Sequence, residues 1–424
     1  MIKLLAVGDM HLGRLPSRLP HALVERAVEL GPSEAWKRVI EAATEFEVDA
    51  VILAGDVVHS ENDFFEAYRN LSSGVEQLTE AGIRVLCVAG NHDVSVLPRL
   101  SRHIKAFKLL GEDGNWESVE LEFESEYLTL WGWSFPRARM AESPLRGTGF
   151  ERGPGINLGI MHCDRDKARS NYAPVSSTEL NNAGLDGWLL GHIHQPDELT
   201  TPHPSGYLGP ITGLDKGEYG ARGPWLIKID RGHIQEVEQL ILAPLRWERL
   251  EVDVEGISNV EDSRDRLQIK LIELDNELSV LYKPPKAVGL RVVFVGHSRF
   301  SDSIEPFFSE DEKENIYPGR DGTHYFIEYL ENEILPEIRL EEIATRNDPP
   351  GLLAKRLLLL DLNSSNHERQ VLIENAKQRL INQSQNTQWN RLEMEIPDDD
   401  VTVKWLRRSG IRLLDKLLSQ QEVE

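Results

Sequence analysis

The chain has 424 residues, 40% of them hydrophobic and 28% charged, with a formal net charge of -23. At roughly 150 residues per domain this allows two or three folded domains, and no apolar run approaches the about 18 residues of a membrane span. The N-terminal run 2–7 is too short for a secretory signal, so the expected setting is cytoplasmic.

Taken in chain order, apolar runs that read as strands buried on both faces recur at residues 2–7, 50–54, 84–89, 128–133, 157–161 and 187–190. Amphipathic helices are predicted between the early ones, at 33–44 and 65–80. Runs at 224–230 and 234–242 read as a closing antiparallel pair turning at Arg231-Gly232. Residues 1–245 therefore read as an α/β domain.

A second unit, 246–346, reads as a small α+β domain. Its predicted elements are strands at 249–254, 290–296 and 325–330 and a helix at 260–281 that ends before Pro284-Pro285. Asn347-Asp348-Pro349-Pro350-Gly351 is a breaker cluster and reads as a linker. The tail, 347–424, reads as helical, with amphipathic segments at 352–362 and 368–381 and a polar stretch at 382–390. Asp398-Asp399-Asp400 is placed to cap a last helix over 401–418.

The two cysteines, Cys87 and Cys163, lie far apart within apolar segments and read as buried thiols rather than a disulfide. The acidity either serves solubility or, in a DNA-binding protein, leaves the phosphate-neutralising charge to a local patch or to another subunit.

The chemistry concentrates where strands end. Run 2–7 leads into Gly8-Asp9-Met10-His11, run 50–54 into Gly55-Asp56-Val57-Val58-His59, and run 84–89 into Gly90-Asn91-His92-Asp93. Run 157–161 is followed by His162, and run 187–190 by Gly191-His192-Ile193-His194. In open α/β folds ligands bind in the crevice beyond the strand ends. Residues two apart on an extended segment share one face, which pairs Asp9 with His11 and His192 with His194 and turns Cys163 away from His162.

Of the thirteen histidines, five end successive strands and His59 is a sixth nearby, too many for coincidence. Asp9, Asp56, Asn91, His11, His162, His192 and His194 make a ligand set of carboxylate, amide and imidazole groups that suits divalent first-row metals. Hydrolytic metal pairs lie about 3.5–4 Å apart, a distance a shared carboxylate spans. Asp56 is the natural bridge. His92 stands outside this set, with Asp93 beside it to fix its tautomer.

GDMHLG, GDVVHS, GNHD, a later His162 and GHIH, in this order, resemble the calcineurin-like metallophosphoesterases. Within them, His59, the long excursion before His162, and a small cap and tail after the core resemble the SbcD-type DNA repair nucleases, in particular their YhaO-like relatives. The resemblance implies a four-layer β-sandwich core with flanking helices. It implies one metal on Asp9, His11, Asp56 and His194 and another on Asp56, Asn91, His162 and His192, with manganese as the expected ion.

It further implies phosphodiester hydrolysis by a two-metal-activated hydroxide, with His92 stabilising the transition state or protonating the leaving oxygen, Asp93 orienting His92, and His59 contacting phosphate. DNA is then the expected substrate and a coiled-coil ATPase of the SbcC type the expected partner, docked through the tail, with room for a homodimer and no membrane role. Arg137, Arg139, Arg165, Lys167 and Arg169 read either as DNA-backbone contacts or as a solvated charged loop, since Glu142, Asp164 and Asp166 lie among them. A metallophosphatase or phosphodiesterase acting on a small molecule or phosphoprotein is the same-fold alternative, which the cap and tail argue against. A non-catalytic assembly subunit is a third, which the complete ligand set argues against.

Overall fold

This computed structural model describes residues 1–123, 126–167, 169–308, 315–384 and 397–421. Its strands in chain order begin with β1 (Ile2–Val7), β2 (Ala50–Ala54), β3 (Arg84–Val88), β4 (Phe107–Leu109), β5 (Trp116–Phe123) and β6 (Glu126–Trp133). They continue with β7 (Ile156–His162), β8 (Gly187–Gly191), β9 (Ser205–Tyr207), β10 (Trp225–Asp230) and β11 (His233–Gln239). The last are β12 (Leu245–Asp253), β13 (Ala287–Val295), β14 (Ile316–Pro318) and β15 (His324–Asn332).

One sheet has the order β11-β10-β1-β2-β3-β4 and another β5-β6-β7-β8-β9. The strands β1 to β4 run parallel, as do β6 to β9. The ends of β1, β2 and β3 thus open together, and so do those of β7 and β8. The predicted hairpin is present: β10 and β11 are antiparallel, and Arg231 and Gly232 both take positive φ, 51° and 71°, the backbone that a tight two-residue turn requires.

Strand alternation sorts the apolar residues into layers. Ile2, Leu4, Ala6, Ile52 and Val88 meet Leu128, Leu130, Leu158, Ile160 and Leu189 between the two sheets. On the other face of the first sheet, Leu5, Val7, Val51, Leu53, Val85 and Cys87 pack with Trp36, Val39, Leu71 and Val75, from helices Pro32–Glu45 and Phe64–Glu80. On the outer face of the second sheet, Trp133, Met161, Cys163, Trp188 and Leu190 pack with Leu145, Val175 and Leu180. The result is the expected four-layer sandwich. Each fully buried Leu or Ile contributes about 1.5–3 kcal/mol, so three stacked cores hold the strand ends rigidly.

Strand β5 was not legible because Glu117, Glu120 and Glu122 interrupt its apolar residues. It is an edge strand, and charge on an edge is what blocks unwanted pairing.

The chain clusters as two compact units. One comprises Met1–Leu250, Leu271–Arg291 and Glu310–Tyr329, and the other Glu251–Lys270, Val292–Ser309 and Leu330–Glu424. A further sheet has the order β12-β13-β15-β14. The tail is helical at Pro349–Leu359, His367–Ser384 and Asp399–Gln421, and Asp398 caps the last helix by accepting from Val401 N at 2.8 Å. Of the polar stretch expected at 382–390, residues 385–390 lie outside the described residues.

The expected linker at 347–351 is corrected by the structure. Pro349-Pro350-Gly351 is the first turn of a helix, with Asp348 as its cap accepting from Gly351 N at 2.9 Å. Proline fits there because the first helical N–H groups have no partner within the helix. The tail also has its own core: Leu357, Leu360, Ile373, Ile411 and Leu414 are buried with Leu340 and packed by Leu335, Ile338 and Ile343.

Both cysteines are buried and free, and burial raises both thiols above their ordinary range. Neither is expected to react with iodoacetamide in the native protein, and both should react in denaturant. Stoichiometric labelling of the native chain by mass spectrometry would contradict this burial.

Candidate metal centre

The predicted residues converge at the carboxyl ends of β1, β2, β3, β7 and β8. Four of them, Asp9, His11, Asp56 and His192, hold positive φ of 34°, 50°, 46° and 104°. Such backbone costs about 1–3 kcal/mol per residue and persists only where packing imposes it, most often at functional sites. Glycines allow the close approach of the loops. A Cβ on Gly90 would lie 2.2 Å from Asp56 Oδ1, and one on Gly191 would lie 2.1 Å from the Ala54 carbonyl oxygen.

His162 Nε2 is the hub of one group. It lies 3.2 Å from Asp56 Oδ2, 3.1 Å from Asn91 Oδ1 and 3.2 Å from His192 Nδ1. The second group is Asp9, His11 and His194, whose ligand atoms all lie within 4.8 Å of one another. In it, His11 Nε2 faces His194 Nε2 at 3.1 Å. Asp56 Oδ2 is also 3.9 Å from His11 Nε2, so this one oxygen stands between the two groups.

These distances fit cations. Ligands about 2.0–2.2 Å from a tetrahedral ion lie about 3–3.5 Å apart. The donor chemistry fits as well. His162 Nδ1 lies 3.2 Å from the Ala54 carbonyl, which demands a proton on Nδ1. Its Nε2 lone pair then points at a carboxylate oxygen and an amide oxygen, an arrangement that needs positive charge. Asp9 Oδ2 is buried with no hydrogen-bond partner among the described residues, an orphan that costs about 1–3 kcal/mol unless a ligand meets it.

The electrostatics point the same way. Burial pushes the Asp9 carboxyl up to about 6. Burial also opposes ionisation of Asp56, but the His162 charge outweighs it and holds Asp56 well below the usual carboxylate range. Burial would lower His162, yet the Asp56 carboxylate raises it to about 9. Burial together with His162 pushes His192 down to about 4.

His92 and His59 lie at the rim. His92 is exposed, its Nδ1 lies 3.0 Å from the His59 carbonyl oxygen, and its ring stacks on that of His59 at 5.5 Å. Asp93 does not orient His92. Its carboxylate is fully buried and accepts from Val57 N at 2.7 Å, Val58 N at 3.3 Å and Gly90 N at 2.7 Å. It ties together the loops after β2 and β3, and the His59 carbonyl fixes the His92 tautomer. Asp93→Asn would turn an amide N–H donor toward solvent-free backbone N–H donors, so it should cost about 1–3 kcal/mol and lower the melting temperature. Unchanged melting would contradict this packing role.

Of the five basic residues, two are engaged internally. Arg165 pairs with Asp197 at 2.9 Å and lies over the Tyr207 ring, while Lys167 pairs with Asp164 at 2.8 Å. Arg137, Arg139 and Arg169 are exposed. Two carboxylates were missed from the sequence. Asp164 Oδ1 lies 3.4 Å from His192 Nε2, and Glu218 Oε1 lies 2.6 Å from His194 Nδ1. Asp164 could have been found from its i+2 spacing to His162. Glu218 sits 24 residues beyond His194, and no spacing rule points to it.

The two stacked sheets with parallel strand ends agree with a metallophosphoesterase core, and the clustered carboxylate and imidazole donors are groups that could hold metal ions. Residues 2–196 match the calcineurin-like phosphoesterase family.

Among curated proteins it is 26% identical over 282 residues to the uncharacterized metallophosphoesterase YhaO of Bacillus subtilis, covering 60% of this chain and 64% of that protein. It is 26% identical over 308 residues to the DNA double-strand break repair protein Mre11 of Methanopyrus kandleri, covering 64% and 65%. The chain thus spans less than two thirds of either relative's length. A solved dimetal phosphatase from Danio rerio is 11% identical with a TM-score of 0.36, over 57% of this chain and 98% of that one. No helix among the described residues is long and apolar enough to cross a membrane.

Proposed function

We propose that this chain is a metal-dependent DNA nuclease that hydrolyses phosphodiester bonds at DNA ends. The observation that carries the reading is the pair of ligand groups sharing Asp56 Oδ2, 3.2 Å from His162 Nε2 and 3.9 Å from His11 Nε2. A single structural ion would not need two such groups. Supporting the choice of DNA are the relatives named for double-strand break repair and the exposed Arg137, Arg139 and Arg169.

On this reading Asp9, His11, Asp56 and His194 hold one divalent ion, and Asp56, Asn91, His162 and His192 hold the other. When bound, the ions, assigned as manganese, supply Lewis acidity and activate water. The chain's own residues do the rest. His92, with Nδ1 held by the His59 carbonyl, keeps Nε2 open to hold a proton at the leaving oxygen. His59 Nδ1 lies 3.4 Å from His11 Nδ1, so its other nitrogen is left to meet a phosphate oxygen. Asp93 keeps the two loops that carry Asp56 and His92 in register.

The test is incubation with manganese and a labelled linear duplex, beside cyclic dinucleotide and phosphopeptide controls. Cleavage of the duplex that chelation abolishes supports the reading. Turnover of a control alone moves the chain to the phosphatase or small-molecule class, and no turnover of any substrate sinks catalysis.

The reading extends to a coiled-coil ATPase of the SbcC type docked on the tail. The tail's own core leaves Leu352, Val371, Trp405 and Leu413 about half exposed, and such large apolar side chains on adjoining helices suit a helical partner. Truncation after Asp348 would strip the cover from Leu340, so a point substitution is the cleaner probe. Trp405→Asp is expected to abolish co-purification with the ATPase and leave hydrolysis of a small chromogenic diester unchanged. Full co-purification would place the interface elsewhere.

A further inference from the structure

A histidine can serve a cation only through an unprotonated nitrogen, so whatever holds the proton on its other nitrogen decides the ligand. At His194, Nε2 faces His11 Nε2 at 3.1 Å and Nδ1 lies 2.6 Å from Glu218 Oε1. Glu218 is only 7% exposed. Its other oxygen accepts from Leu214 N at 2.7 Å and Asp215 N at 3.3 Å. An ionised carboxylate only accepts, so the proton of the ring belongs on Nδ1, and the Nε2 lone pair points at the Asp9–His11 group.

The same loop reaches the site from its other side. Asp215 holds Arg14 at 2.6 Å, and Arg14 N donates to the His11 carbonyl at 3.0 Å. The segment from Leu214 to Glu218 is therefore tied to the His194 imidazole directly and to the His11 backbone through Arg14. It lies beyond residues 2–196, the part of the chain that matches the phosphoesterase family.

We infer that Glu218 is a positioning residue that fixes His194 as the Nδ1–H tautomer and thereby sets the affinity of the metal position formed by Asp9, His11 and His194. This rests on the two-metal reading above. The competing role is that Glu218 only pins its own loop, which would affect folding without distinguishing between the two metal positions.

The experiment uses the full chain and manganese alone. By calorimetry the wild type should take up two ions. Glu218→Gln cannot accept through both side-chain positions, and it should weaken one of the two by about 10–100-fold while leaving the other within about twofold. With a small diester, KM should hold and kcat should recover at high manganese. Unchanged affinity at both positions overturns the inference, and so does equal weakening of both.

A second measurement needs no variant at position 218. Long-range nitrogen–proton NMR of metal-free wild type, well above the imidazole titration range, reads the tautomer of His194, assigned by its absence in His194→Asn. The Nδ1–H form is expected, and the Nε2–H form overturns the inference even if Glu218→Gln fails to fold. If the wild type takes up fewer than two ions, it is the two-metal reading that falls, while the tautomer still decides the role of Glu218.

Discussion

Asp56→Ala is expected to abolish phosphoester hydrolysis, the largest effect of any single substitution in this chain. Asp56 Oδ2 stands between the two ligand groups, so its removal takes a donor from both. A metal pair supplies several kcal/mol of transition-state stabilisation, and losing even about 4 kcal/mol of it is about a thousandfold in rate.

The fold should survive, because the three cores lie behind the site and not within it. A modest loss of melting temperature is expected, since Asp56 Oδ1 also accepts from His92 N at 2.9 Å. The measurement is manganese-dependent turnover of a chromogenic diester together with circular dichroism. Near-normal turnover by a folded variant would refute the shared-carboxylate assignment.

His92→Ala is the second large effect, and it differs in kind. His92 is exposed, and neither its position nor its Nδ1 contact with the His59 carbonyl assigns it to a metal. The variant should bind both ions as the wild type does and lose about 10²–10⁴ in rate, the range of a positioned acid or base. Because the substitution removes only the ring that stacks on His59 and no core packing, melting should hardly move. Loss of one ion in calorimetry would instead place His92 among the ligands, together with His11 and His59.

Much of this was legible in the sequence. Continuous apolar runs marked the parallel strands, since strands covered on both faces tolerate little polarity. The Gly-Asp, Gly-Asn and Gly-His pairs marked where β1, β2, β3 and β8 ended, since a glycine there admits the tight backbone that aims a ligand over the sheet. Local pattern failed where the partner was remote. The alternating Glu residues of β5 concealed an edge strand. Pro349-Pro350-Gly351 read as a break, although proline at a helix start is as compatible with order as with a linker.

The sequence by itself determined the chemistry: seven donors of the right kind at five strand ends, two histidines left over at the rim, and an α/β core to hold them. Tertiary structure alone decided the supports of that chemistry. Asp93, next to His92 in the chain, turns inward to the N–H groups of Val57 and Gly90, because a carboxylate buried by two sheets must satisfy itself on the nearest backbone donors. Glu218, far along the chain, reaches His194 because the loop after β9 folds back over the site. Adjacency in sequence says which side chains are available, but only the packing of distant segments says which of them meet. Hydrogen bonds inside a low-dielectric crevice are strong enough to make that meeting matter.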